Sequence, residues 1–187
     1  MDVIPGFLGL QSDFDFLPEA PGRILLGYSM GGRLALDRLQ RERYDKAVII
    51  SAGLNAPDPA RRQRDEEWAR RFERDDWQTL MRDWNAQAVF GGHVIERHER
   101  DYDRAELARQ LREWSPAVLP PPRLEDIETS ILWIAGERDA KYVDIATEAV
   151  ERLPNAELWI CPSAGHRVPW EQPERFVARL RAFLEMQ

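Results

Sequence analysis

With 187 residues, 43% of them hydrophobic, the chain has enough apolar material for one domain with a small accessory unit. A net charge of −7, with acidic and basic residues well mixed, argues against nucleic acid or an anionic membrane as partner. Cys161 is the single cysteine, which excludes a disulfide framework and a cysteine-based metal site, and no apolar run reaches the roughly 18 residues of a membrane span.

The first apolar pair, Val3-Ile4, reads as a short strand running into the loop Pro5-Gly6-Phe7-Leu8-Gly9. No leader is read ahead of Pro5, so a cytoplasmic location is expected. Leu10 to Arg23 is a connection with a short helical turn near Ser12 to Leu17. Ile24-Leu25-Leu26 is a strand, Gly27-Tyr28-Ser29-Met30-Gly31-Gly32 a tight turn, and Arg33-Leu34-Ala35-Leu36 opens a helix. Ala47-Val48-Ile49-Ile50 is a further buried strand that ends in Ser51-Ala52-Gly53-Leu54.

From about 58 to 123 the strand signal stops. Helices are expected over Arg61 to Arg74, Trp77 to Phe90 and Arg104 to Trp114, with Pro116 and Pro120-Pro121-Pro122 as a stiff return linker. The α/β pattern then resumes with the strand Ile131 to Ala135, followed by Gly136-Glu137-Arg138-Asp139. Next come the strand Leu158-Trp159-Ile160, the loop Ser163-Ala164-Gly165-His166, and a helix opened by Pro173. That helix carries Phe176, Val177, Leu180, Phe183 and Leu184 on one face. Residues 1–57 and 124–187 thus form an α/β core, and 58–123 an all-helical insertion expected to cap the strands' carboxyl ends.

The chemistry is concentrated in the G-x-S-x-G stretch. A serine held between glycines at a strand-to-helix turn is raised above the sheet edge, where helix N-terminal amides meet developing negative charge. Its hydroxyl needs a base, and the base needs an orienting carboxylate, in the chain order serine, acid, histidine. Of His93, His98 and His166, only His166 lies on a loop between a last strand and a last helix. Asp139 is the candidate acid, with Glu137 and Asp144 as fallbacks; Asp139 could instead cap the helix that follows it. The oxyanion-hole amides are expected from Met30 and from Phe7 on the loop after the first strand. No metal and no cofactor is called for.

Pro5-Gly6-Phe7-Leu8-Gly9, Gly27 to Arg33, Asp83-Trp84 through Val89-Phe90, Gly136 to Tyr142 and Ala164-Gly165-His166 together resemble one branch of the α/β-hydrolase superfamily. That branch is the menaquinone-pathway 2-succinyl-6-hydroxy-2,4-cyclohexadiene-1-carboxylate synthases, and the likeness covers most of the chain. It implies a serine–histidine pair that removes a proton from a substrate carbon, followed by elimination of pyruvate, with a small carboxylate-bearing molecule as substrate. It also implies substrate contacts by Tyr28, Arg33 and the cap residue Trp84, with Arg61 (or Arg62) and Arg100 as further cap arginines. Bidentate guanidinium groups suit such a substrate. The alternatives are an ester or thioester hydrolase using the same triad, and a non-catalytic binding protein.

The chain departs from the family in two respects. Pro5 stands where a histidine usually precedes the Gly-Phe of the oxyanion loop. The segment between that loop and the elbow is also much shorter than in relatives, as expected if strands 1, 2 and 4 of the superfamily order 1-2-4-3-5-6-7-8 were absent. A truncated, mostly parallel sheet of about five strands would remain. Leu10 to Arg23 would then make a crossover for which about a dozen residues suffice. The edge strand around Val3-Ile4 would be left open, so a homodimer joined there is expected.

Overall fold

The computed structural model describes residues 1–186, which divide into two compact units. One comprises Met1–Gly53 and the chain from Pro122 onward; the other is Leu54–Pro121.

The first unit is built on one sheet of five parallel strands in the order of the chain: β1 (Asp2–Ile4), β2 (Ile24–Tyr28), β3 (Lys46–Ile50), β4 (Ser130–Gly136) and β5 (Ala156–Cys161). The expected α/β architecture is therefore present. The apolar runs of β2, β3 and β4 arise because the sheet is covered on both faces, so both sets of alternating side chains are buried. On one face Leu26, Tyr28, Val48, Ile50, Leu132 and Ile134 pack with Phe176, Leu180 and Phe183 of α7 (Pro173–Glu185). Phe14 joins that cluster from a 3₁₀ turn at Gln11–Phe14, inside the crossover from β1 to β2. On the other face lies α1 (Met30–Leu39), whose Ala35 closes over Gly27. α5 (Ala140–Arg152) buries Ala146 and Ala149 and runs beside β4 and β5.

The second unit holds α2 (Pro59–Arg74), α3 (Trp77–Asn85) and α4 (Arg104–Glu113). Each begins at an aspartate that accepts a backbone N–H of its first turn: Asp58 from Arg61, Asp76 from Thr79, and Asp103 from Ala105 and Glu106. Arg112 on α4 reaches Glu66 and Glu73 on α2. The ends of the unit are drawn together where Asn55 Nδ2 donates to the Pro120 carbonyl at 2.9 Å and the Ala56 N–H to that of Pro116 at 2.9 Å.

One expected element is different. The periodicity from Trp77 to Phe90 predicts one helix, but α3 stops at Asn85 and a separate 3₁₀ turn spans Ala88–Phe90. Asn85 turns its amide back onto the Met81 carbonyl at 2.9 Å, and Gln87 does the same to Trp84 at 3.0 Å. Side chains that bond the preceding turn compete with continuation of the helix. Among the described residues, no helix is long and apolar enough to cross a membrane.

Candidate active site

Ser29 sits between β2 and α1 with φ +53° and ψ −112°, outside the regions that L-residues ordinarily occupy. Two glycines make this turn feasible. A Cβ on Gly27 would lie 2.6 Å from the Gly31 carbonyl oxygen, and one on Gly31 would lie 2.0 Å from that of Ile4 and 2.3 Å from that of Pro5. The second clearance lets the loop after β1 rest directly on the start of α1. In this chain the Pro5 main chain is seated there.

The strain is not confined to Ser29. Among the described residues, the non-glycine positions with positive φ are Leu8, Ser29, Ser51 and Ser163, and each follows the carboxyl end of a strand (β1, β2, β3 and β5). Backbone held in such conformations clusters where function demands it, and open parallel sheets bind ligands at this same edge.

At that edge three side chains form a continuous hydrogen-bonded chain. Ser29 Oγ lies 3.0 Å from His166 Nε2, and His166 Nδ1 lies 2.6 Å from Asp139 Oδ2. His166 and Asp139 are buried. Asp139 serves two ends at once. Its main chain begins α5, accepting the Tyr142 N–H at 2.9 Å, while its side chain leaves the helix amides alone and goes to the histidine. Neither Glu137 nor Asp144 occupies this place: Glu137 accepts the Ser163 N–H at 2.8 Å, and Asp144 faces outward on α5. The arrangement can move a proton from a hydroxyl to an imidazole whose developing positive charge is held by a carboxylate.

Met30, at the first position of α1, has an amide with no carbonyl to bond within the helix. Phe7 lies on the loop seated against that helix start. Tyr28 is buried beneath Gly6, its ring edge-on to Trp170 at 4.9 Å. Burial pushes its hydroxyl above the usual tyrosine range, and the charge of Arg167 works in the opposite direction. Arg33 is buried one turn beyond Ser29.

The remaining named residues belong to the second unit. Trp84 stands edge-on to Trp68 at 4.9 Å and to Phe72 at 5.6 Å. Arg61 directs its Nε to both carboxylate oxygens of Asp65, at 2.8 and 3.0 Å. Arg100 is 81% exposed beside Asp101. Among the described residues, no three His, Cys, Asp or Glu side chains gather as a metal-ligand set.

Three residues around the histidine were given no role in the site from the sequence. Arg167 is buried and hydrogen-bonds Tyr28. Tyr142 lies edge-on to the His166 ring at 4.5 Å. Glu171 holds its carboxylate against the histidine loop. The available signal was positional: Arg167 adjoins the base, and Glu171 follows it by one short helical turn, α6 (Val168–Glu171).

Comparison with known proteins identifies the family. The alpha/beta hydrolase family matches residues 3–179. The chain is 32% identical over 174 residues to a 2-succinyl-6-hydroxy-2,4-cyclohexadiene-1-carboxylate synthase of Escherichia coli O1:K1, with 86% of this chain and 67% of that one covered. The fold superposes on MenH from S. aureus with a TM-score of 0.78 at 25% identity, covering 87% of this chain and 67% of that one. A thermophilic esterase from Thermogutta terrifontis shares the fold, with a TM-score of 0.62 at 21% identity, 87% of this chain and 65% of that one being covered. Five parallel strands, a strained serine between β2 and α1, and the match along nearly the whole chain lead to one assignment: the protein is an enzyme of the alpha/beta hydrolase family.

Proposed function

We propose that this chain is a carbon–oxygen lyase of the 2-succinyl-6-hydroxy-2,4-cyclohexadiene-1-carboxylate synthase type, acting in menaquinone biosynthesis with Ser29, His166 and Asp139 as its catalytic triad. The likeness to the E. coli synthase and to S. aureus MenH supports the reaction class. The observation that carries the reading beyond a general serine hydrolase is a pair of buried arginines. Arg33, one turn past Ser29, is 7% exposed, and Arg167, next to His166, is 5% exposed. Planar guanidinium forks match the carboxylate oxygens of a substrate that bears several such groups.

On this reading Asp139 keeps the proton of His166 on Nδ1, so that Nε2 is the basic nitrogen facing Ser29 Oγ. Ser29 Oγ takes a proton from the substrate carbon while His166 Nε2 draws the serine proton. The C–H electron pair becomes the new ring double bond, and the C–O bond to the pyruvyl group breaks with its electrons on oxygen. The released enolate takes the proton that His166 holds and leaves as pyruvate, which restores the resting Ser29–His166 pair. No bond to Ser29 forms. The amides of Phe7 and Met30 stabilise negative charge on the substrate oxygen during proton removal.

The test is pyruvate release from the pyruvyl-bearing precursor, followed by a coupled lactate dehydrogenase assay. Wild-type protein is expected to release pyruvate, Ser29→Ala to lose that activity, and p-nitrophenyl acetate to be a poor substrate for both. Rapid ester turnover abolished by Ser29→Ala, with no pyruvate released, would assign the site to an ester or thioester hydrolase instead.

A further inference from the structure

Beyond the triad, the geometry points to Glu171 as the positioning residue that holds the acid loop and the base loop in register. The proposal rests on the reading of Ser29, His166 and Asp139 as catalytic. Glu171 closes α6, and its side chain is 7% exposed. Its carboxylate accepts from the two main-chain amides that flank the histidine: Gly165 N–H to Oε2 at 2.8 Å and Arg167 N–H to Oε1 at 3.0 Å. The same Oε2 receives Arg138 Nη2 at 2.7 Å. Arg138 is the residue immediately before Asp139. One buried carboxylate therefore ties the neighbour of the acid to both neighbours of the base.

Besides the His166–Asp139 bond itself, main-chain and peripheral bonds join the two loops. Arg138 N–H donates to the Ala164 carbonyl at 2.8 Å, Glu137 N–H to that of Cys161 at 3.0 Å, and Ser163 N–H to the Glu137 carboxylate at 2.8 Å. All of these lie on the strand side of His166. Glu171 is the clamp on its far side, and it grips residues on both sides of the histidine. A loop held at one end lets the imidazole swing about that end. A loop held at both ends fixes Nδ1 on Asp139 and Nε2 on Ser29 together. Catalytic groups need tolerances of a fraction of an ångström, which packing and outer hydrogen bonds supply.

Charge and shape make a carboxylate the right group here. Three N–H donors converge on two oxygens, and an ionised carboxylate has only acceptors to offer. An amide would turn its NH₂ toward one of those donors. Gly165 also leaves room for the clamp, since a Cβ there would lie 3.1 Å from Oε1 and 3.3 Å from Oε2.

The experiment compares wild type with Glu171→Gln, Gly165→Ala and Arg138→Ala by three measurements: thermal melting, steady-state turnover, and the proton spectrum of the histidine ring N–H in ¹⁵N-histidine-labelled protein. Turnover is followed on the pyruvate-releasing substrate or on p-nitrophenyl acetate, whichever wild-type protein uses. Glu171→Gln is expected to lower kcat about 10- to 100-fold with KM changed less than about threefold, and to broaden or lose the downfield Nδ1 proton of His166 while the protein stays folded. Gly165→Ala, which crowds the carboxylate without removing it, is expected to change the same readouts in the same direction by less. Arg138→Ala cuts the tie to the acid loop but leaves both main-chain bonds, so kcat should fall in the same direction by less than in Glu171→Gln. Unchanged kcat and an unchanged downfield proton in Glu171→Gln and Gly165→Ala would overturn the proposal, including the case where only the melting temperature falls. Ser29→Ala separates the two readings. If it keeps full turnover, the triad reading fails, while the ring proton, recorded without substrate, still decides whether Glu171 positions His166.

Discussion

Asp139 Oδ2 lies 2.6 Å from His166 Nδ1, although 27 positions separate the two residues in the chain. Both are buried, so the bond is shielded from solvent, and the carboxylate determines which ring nitrogen carries the proton. Asp139→Asn keeps the shape and removes that control. It is expected to lower kcat by about three to four orders of magnitude, with thermal melting close to wild type. A loss below about tenfold, by the same measure, would mean that His166 does not depend on Asp139 for its tautomer.

The acid and base loops meet with no space to spare. A Cβ on Gly136 would stand 2.0 Å from the Gly165 carbonyl oxygen and 2.5 Å from that of Ala164, both main-chain atoms that cannot rotate aside. Gly136→Ala should therefore push the histidine loop outward. It is expected to destabilise the protein by about 1–3 kcal/mol in urea unfolding and to lower turnover as well. Gly53→Ala is the control. Its Cβ would meet only Tyr142 Cε1, at an ordinary 3.7 Å, and its midpoint should be near wild type.

Ser51 carries an orphaned group. It is fully buried just past β3 at φ +47°, and its hydroxyl has no hydrogen-bond partner among the described residues. A buried hydroxyl without a partner is a net cost, so removing it is favourable provided the backbone stays in place. Ser51→Ala is expected to raise the unfolding free energy by about 1 kcal/mol. A clear loss of stability in the urea titration would show that the hydroxyl is bonded in solution.

The thiol of Cys161 gives a pH dependence of definite sign. Burial pushes its pKa from the ordinary 9.0 up to about 11, so the folded chain holds the proton more tightly than the unfolded chain does. Its contribution to stability is complete below pH 9.0 and is lost as pH rises through about 11. Wild-type protein should therefore lose stability relative to Cys161→Ala across that alkaline window. Urea midpoints of both proteins, at about pH 8 and about pH 10.5, measure the difference. The same burial should leave the thiol slow to react with Ellman's reagent at neutral pH.

Much of the fold was legible because it is written in local pattern. Continuous apolar runs such as Ile24-Leu25-Leu26 and Ile131 to Ala135 are what a sheet covered on both faces requires, and they became β2 and β4. Pro173 at a helix start with Phe176, Leu180 and Phe183 spaced behind it identified α7 and its buried face. The extended helix expected through Phe90 failed because periodicity does not register a side chain such as Asn85 bonding back onto its own helix.

In the site, the residue types, their order and the elbow that lifts Ser29 were readable along the chain. These follow from short-range sterics: glycines at 27 and 31 permit the turn wherever the chain is placed. It took the folded chain to show that Asp139 and not Glu137 reaches His166, that Arg33 and Arg167 are buried, and that Glu171 grips the chain on both sides of the histidine. The hydrogen bonds among those outcomes join loops brought side by side by strand register. A hydrogen bond changes from made to unmade within about an ångström, a distance that no spacing along the chain encodes.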